Sequence, residues 1–76
     1  METETYRDCT IFYEMYQPAG AEFWSARGRV EYYEGITFCS VNLSSAVNKF
    51  VSRDEAKQDF LIKAKNWADR RLLTNV

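Results

Sequence analysis

Histidine is missing from the 76 residues, so the chain lacks the side chain best suited to acid–base catalysis near neutral pH. Cys9 and Cys39 are far apart in the chain and could supply only two of the four ligands of a structural zinc site. Neither cysteine has a histidine that would activate it as a nucleophile. The chain also lacks a glycine-rich phosphate-binding pattern. These observations predict a protein that is not an enzyme and that uses no metal and no cofactor.

Two carboxylates could in principle cooperate in general acid–base chemistry. The predicted strands make Asp8 and Glu31 diagonal neighbours on the same face of a sheet. The same register places Arg29 directly opposite Asp8, and opposite charges across two strands attract each other. We therefore interpret these residues as a cross-strand charge ladder and not as a catalytic pair.

A set of aromatic and arginine side chains is the stronger indication of function. The predicted strands place these side chains, together with Tyr33, on the sheet face that points away from the core. We predict that a partner binds seven of them: Tyr6, Phe12, Tyr16, Phe23, Arg27, Arg29 and Phe38. Large exposed apolar patches usually mark interaction sites. Aromatic and arginine side chains are also enriched among the residues that dominate interface energies. The alternative is that residues 44–51 or the N-terminal residues cover this face within the chain.

Two classes of partner fit such a face. One is another protein or a second copy of the chain, which would make this a protein-interaction module such as an adaptor or an inhibitor. The other is single-stranded nucleic acid, whose bases stack on aromatic side chains. Ten Lys and Arg against eleven Asp and Glu leave a net charge of −1. Nucleic-acid binding depends strongly on phosphate contacts, so this balance favours the protein partner.

Three predicted strands position this face. Residues 6–16, 21–33 and 36–43 alternate apolar and polar side chains with the period of a half-buried strand. Turns are predicted at 17–20 and at Glu34-Gly35. These turns would pair Ile11 with Ala26 and Val30 with Cys39, which puts every apolar set on one face. Residues 1–5 are expected to fray, and 44–51 could form a short fourth strand, a helical turn or a packed loop.

A long C-terminal helix over 52–73 should cover the apolar face. Ser52 and Glu55 have the spacing of a capping box, in which each side chain satisfies a backbone donor at the helix start. At about 100° per residue, one helix face collects Ala56, Phe60, Leu61, Ala64, Trp67, Ala68 and Leu72. Lys57 and Arg71 project within the same arc. Their stems could lie along apolar surface with the charges in water, or the pair could bind an anion.

The order strand-strand-strand-helix over residues 6–73 is similar to the latter part of the double-stranded-RNA-binding domain. That family opens its last helix with lysines that contact phosphates. Here the corresponding place contains Arg53 and Lys57 beside two carboxylates. The resemblance therefore implies a fold and no RNA-binding residues. The segment 50–69 also resembles the end of small bacterial and phage proteins, which suggests such a context.

The length predicts one domain, and the strand and helix patterns predict an α+β fold, a three-stranded antiparallel meander packed on one face by a C-terminal helix. A chain of 76 residues buries a limited core, and the 46% hydrophobic and 16% aromatic composition compensates for its small size. No apolar run approaches the roughly 20 residues that cross a bilayer. The acidic start, Met1-Glu2-Thr3-Glu4, is unlike a secretory signal, so we expect a cytoplasmic protein.

Overall fold

The structure is a four-stranded antiparallel sheet covered on one face by one helix. The computed structural model describes residues 1–44 and 50–74, with side chains through residue 71. The sheet order is β1-β2-β3-β4. The elements follow each other in the order β1 Glu2–Tyr6, β2 Cys9–Tyr16, β3 Ser25–Glu34, β4 Thr37–Ser44 and α1 Arg53–Thr74. The predicted α+β meander with a C-terminal helix is confirmed.

The fourth strand lies at the N-terminus, where the sequence predicted frayed residues. Glu2–Tyr6 forms β1, which pairs antiparallel with β2. The chain turns at Arg7 and Asp8, and Arg7 has a left-handed backbone with φ of 55°. Since such a conformation is uncommon for residues other than glycine, the sequence offers no signal for this turn. The predicted strand 6–16 therefore corresponds to β2, Cys9–Tyr16, and Tyr6 at its start belongs to β1.

The observed strand pairings differ from the predicted ones, but by even numbers of residues. Ile11 pairs with Val30, four residues beyond the predicted partner Ala26. Val30 pairs with Val41, two residues beyond the predicted partner Cys39. Because side chains alternate with a period of two, even shifts leave every side chain of these strands on its predicted face. The inner and outer faces of β2, β3 and β4 were thus predicted correctly.

The two hairpin connections explain the displacements. The second turn consists of Gly35 and Ile36, and Gly35 has a φ of 62°, as glycine at the first position of a type II′ turn does. The first connection is longer than predicted and spans 17–24, with a tight turn in which the Ala21 amide donates to the Pro18 carbonyl at 2.9 Å. Of the ambiguous stretch 44–51, residues 45–49 lie outside the described residues, Ser44 ends β4 and Phe50 forms a bridge to Trp24.

The helix begins with the predicted cap. The Ser52 hydroxyl accepts a hydrogen bond from the Glu55 amide at 3.1 Å. The Glu55 carboxylate accepts one from the Val51 amide at 3.3 Å, one residue earlier than the usual capping box requires. The cap therefore fixes the first turn, and α1 starts one residue after Ser52.

The core lies between α1 and the inner faces of β2 and β3. Phe60 is fully buried and stacks on Tyr13 with 5.7 Å between ring centroids. The buried helix residues are those of the predicted face: Ala56, Phe60, Leu61, Ala64 and Ala68. Trp67 is half-buried against Tyr32 at 5.2 Å. Small alanines let the helix approach the sheet, and Phe60 fills the centre.

Gly28 has a different role from the one expected of it. Its position in the middle of the central strand predicts that Phe60 or Trp67 fills the space above it. A Cβ built on Gly28 would instead collide with the backbone carbonyl oxygen of Phe12 on β2. The absent side chain is thus required by the neighbouring strand and not by the helix.

Candidate interaction surface

The outer face of the sheet, the side opposite α1, carries most of the predicted partner-binding residues. Side chains of β2, β3 and β4 alternate between the two faces, and those of the outer face in the predicted set are Phe12, Tyr16, Arg27, Arg29 and Phe38. Tyr33 joins them from β3. From Glu2 onward the N-terminal residues extend the sheet as β1, and Met1 alone reaches the outer face, beside Arg29. We call this set, including Tyr33, the outer-face cluster.

Arg27 forms one half of a repeated arrangement. Its guanidinium lies over the Tyr16 ring, 4.6 Å from the centroid. Its Nε donates to Glu14 Oε1 at 2.6 Å. The hydrogen bond and the negative charge of Glu14 raise the pKa of Arg27 above its ordinary value. The arginine is therefore held in place by two neighbours while remaining exposed.

Arg29 repeats the arrangement on the Phe12 ring. Its guanidinium is 4.4 Å from the Phe12 centroid, and Nε donates to Glu31 Oε2 at 2.7 Å. Its Nη1 also lies 3.8 Å from the Met1 sulfur. Guanidinium groups over aromatic rings gain about 0.5–1 kcal/mol at exposed sites. Each arginine thus has a carboxylate and a ring that favour the conformation described, and such pre-organisation lowers the entropy cost of binding.

A shallow depression of about 270 Å³ lies between the two arginines. Gly28 lines it from β3, and Asn42 and Leu43 line it from β4. The depression offers arginine and amide donors together with the carboxylate of Glu14. It can therefore accept a single side chain of mixed polar and apolar character.

The hairpin end of the outer face is the more apolar part. Tyr33 and Phe38 pack edge to face with 5.5 Å between centroids, and they are 62% and 54% exposed. Ile36 in the adjoining turn is 99% exposed. Such exposure of three neighbouring large side chains, two of them already fixed against each other, is typical of an interaction surface.

Two predicted members of the set lie elsewhere. Tyr6 is on the helix side, where its hydroxyl donates to Asp69 at 3.0 Å. The turn at Arg7 and Asp8 breaks the strict alternation on which its predicted position depended. Phe23 is exposed but precedes β3, in the connection 17–24.

The predicted charge ladder is also rearranged. Arg29 pairs with Phe12, not with Asp8, and its carboxylate partner is Glu31 on the same strand. Asp8 lies in the turn after β1 and forms an ion pair with Arg71 of the helix, with 3.4 Å between Asp8 Oδ1 and Arg71 Nη2. Asp8 and Glu31 do line one shallow depression, beside Tyr33 and Phe38. Each carboxylate nevertheless has its own arginine.

The sequence did not predict the row of ion pairs between β1 and α1. The N-terminal carboxylates bind basic helix residues, with Glu2 at 2.6 Å from Arg53 and 3.5 Å from Lys57, and Glu4 at 2.7 Å from Lys65. We call the row the β1–helix seam, and it continues through three more contacts: Arg7–Asp69, Tyr6–Asp69 and Arg71–Asp8. The alternation of Glu and Thr over 2–5 was the signal that could have indicated it.

Lys57 and Arg71 thus pair with different carboxylates, Glu2 and Asp8, and do not bind one anion together. Arg71 is nearly covered, with 10% of its side chain exposed, and it lies over the Tyr32 ring at 4.4 Å. The first of the two interpretations expected the charge to reach water, whereas the guanidinium itself is covered by Tyr32 and paired with Asp8. Lys57 reaches Glu2 at the other end of the seam.

The cysteines are both free, with Cys9 buried on β2 and Cys39 half-buried on β4. β3 lies between them. Among the described residues, no three metal-ligating side chains come together. In the same part of the chain, no helix is both long enough and apolar enough to cross a membrane.

Comparison with known proteins identifies no relative: no family model, curated protein or solved structure matches the chain.

Proposed function

We propose that this protein is a small interaction module, an adaptor or an inhibitor, that binds another protein through the outer-face cluster. The observation that carries the proposal is the one-sided packing of the helix. α1 covers the inner faces of β2 and β3, whereas large aromatic side chains and two ordered arginines remain on the other side. We propose a cytoplasmic setting, which suits two free cysteines.

The anatomy of the face supports a protein partner. The aromatic pair Tyr33 and Phe38 offers an apolar anchor at one end, and the depression between Arg27 and Arg29 offers polar contacts nearer the middle. Interface energies are usually concentrated in a few aromatic and arginine residues surrounded by weaker contacts. The cluster has both kinds of residue, already held in fixed positions.

Single-stranded nucleic acid is the less favoured partner. Each outer-face arginine is neutralised by a carboxylate, Arg27 by Glu14 and Arg29 by Glu31. One face of each guanidinium also already lies on an aromatic ring. A phosphate would have to compete with these carboxylates, and phosphate contacts supply most of the non-specific affinity for nucleic acids.

The test is affinity capture from cells with the wild type and with the double variant Phe12→Ser, Phe38→Ser. The variant should keep the melting temperature within a few degrees, because both side chains lie outside the core. It should lose at least tenfold in affinity for a captured protein, since an aromatic anchor of an interface can contribute 2 kcal/mol or more. A sharp fall in melting temperature would show instead that the face is covered within the chain.

Ile62→Ser is the matched control, because it removes an exposed apolar side chain from the helix, on the opposite side of the molecule. It should leave binding unchanged. Repeating the capture after nuclease treatment and at raised salt separates the two classes of partner. Binding that disappears under those conditions would overturn the proposal in favour of nucleic acid.

A further inference from the structure

The two edges of the sheet are chemically unlike. β1 is five residues long, carries Glu2 and Glu4, and is joined to the helix by the β1–helix seam. β4 is eight residues long, Thr37–Ser44, and contains no charged residue, no proline and no glycine. Natural sheets protect their edges with short strands, charges or covering elements. β1 has these protections, and among the described residues nothing pairs with the outer edge of β4.

The backbone groups on the β4 edge can be assigned from the hairpin. A two-residue loop is closed by a hydrogen-bonded pair, here Glu34 and Thr37, and such pairs alternate along an antiparallel ladder. Cys39, Val41 and Leu43 therefore bond to β3. The remaining residues direct their amide and carbonyl groups away from the sheet: Phe38, Ser40, Asn42 and Ser44.

The inner side of β4 is also incompletely covered. The helix packs against β2 and β3. Cys39, Val41 and Leu43 face the same side as the helix but remain half-buried. An unpaired edge with a partly exposed apolar row is a template for another strand.

We propose that β4 pairs with β4 of a second copy of this chain, antiparallel, to make one continuous eight-stranded sheet. Centring the pair on Val41 places Val41 opposite Val41 of the second copy, and Cys39 opposite Leu43. All four outward-directed residues then find partners, with Ser40 opposite Asn42. Apolar residues then meet apolar residues on the inner face. On the outer face Ser40 meets Asn42 and Phe38 meets Ser44, so no charged residue enters the pairing.

The β4 edge is complementary to itself, so β4 of a second copy is a better partner than a strand of different sequence. A two-fold axis through Val41 uses the same residues from both chains, as closed dimers do. Pairing β4 with β1 of another copy would place Glu2 and Glu4 beside Val41 and Leu43, and would remove those carboxylates from water. The assembly is therefore a dimer and not a filament. It does not depend on the outer-face partner.

Sedimentation of the wild type and two proline variants tests the inference. Ser40→Pro removes an outward-directed amide of β4 and leaves the bonds to β3 in place, so the variant should remain folded and become monomeric. Thr5→Pro makes the matched change on β1, because Thr5 lies on the outward-directed positions of that edge. It should keep the dimer. A monomeric wild type, or a dimer that survives Ser40→Pro, would overturn the inference.

Amide hydrogen exchange of the wild type gives an answer that needs no variant. At high protein concentration the Ser40 and Asn42 amides should be protected, and on dilution they should exchange as freely as those of Thr3 and Thr5. Equal exchange of the Ser40 and Asn42 amides at both concentrations contradicts pairing through β4. This readout decides the matter even if Ser40→Pro does not fold.

Discussion

At the scale of single residues, Phe60 should carry more stability than any other side chain of the helix. It is fully buried at the centre of the core and stacks on Tyr13. Phe60→Ala should lower the free energy of unfolding by about 3–5 kcal/mol, the usual cost of truncating a large buried aromatic. Urea denaturation measures the change. A loss below about 1 kcal/mol would mean that the helix does not pack as described.

Trp67 is less decisive than its size suggests. The sequence places it on the same helix face as Phe60, but the structure leaves it half-buried beside Tyr32. We therefore expect Trp67→Ala to cost less than Phe60→Ala in the same urea series. The order of the two effects is a direct check on which aromatic occupies the centre.

Gly28 should not tolerate even one methyl group. A Cβ there would meet backbone atoms of Phe12 and Tyr13, which cannot move without separating β2 from β3. Gly28→Ala should therefore destabilise by the upper part of the roughly 1–3 kcal/mol range for overpacking. The melting temperature measures it, with Thr3→Ala as the control at an exposed position of β1. An unchanged melt for Gly28→Ala would show that the two strands lie farther apart.

At the scale of elements, the β1–helix seam makes the attachment of β1 sensitive to pH. Desolvation alone would raise the pKa of Glu2, but the hydrogen bonds and charges of Arg53 and Lys57 outweigh it and lower the pKa below 4.5. As the pH falls, the Glu2 carboxylate is therefore protonated at a higher pH in the unfolded chain than in the folded chain. The stabilisation is complete above pH 4.5 and is lost as the pH falls through the lowered pKa.

Glu2→Gln should flatten this dependence. The variant should melt lower than the wild type at neutral pH, and the difference should shrink as the pH falls below 4.5. Added salt should shrink it as well, because the pair is exposed. Melting curves across pH give the comparison, with Glu34→Gln as a control at the exposed end of β3. A constant difference at every pH would argue against the ion pair.

The elements also show what a sequence can predict. Alternation assigns each residue of β2, β3 and β4 to a face, and the assignment survives register errors of two and four residues because both are even. Turn composition does not specify how many residues a connection consumes, so the pairings themselves were displaced. β1 was missed because its turn relies on Arg7 in a left-handed conformation. Tyr6 was misplaced for the same reason.

At the scale of the whole molecule, the two cysteines should differ in reactivity, because only Cys9 needs the protein to unfold before a reagent can reach it. Cys9 is fully buried beneath the helix, whereas Cys39 lies half-buried on the edge strand. At a protein concentration low enough to keep the chain monomeric, a thiol reagent should label Cys39 in the folded protein and should label Cys9 much more slowly, at a rate set by unfolding. The variants Cys9→Ser and Cys39→Ser separate the two reactions. Equal labelling rates in the folded protein would contradict the position of Cys9.

The order of the elements along the chain has a consequence for synthesis. All four strands precede α1, so a ribosome completes the sheet residues before it reaches the helix that covers them. Until then the inner row around Ile11, Tyr13 and Val30 has no cover, and β1 has no helix to hold it. Exposed apolar surface and unpaired edges make incomplete chains prone to aggregate. Mutations that delay helix formation should therefore reduce the yield of folded protein in cells more than they reduce its stability once made.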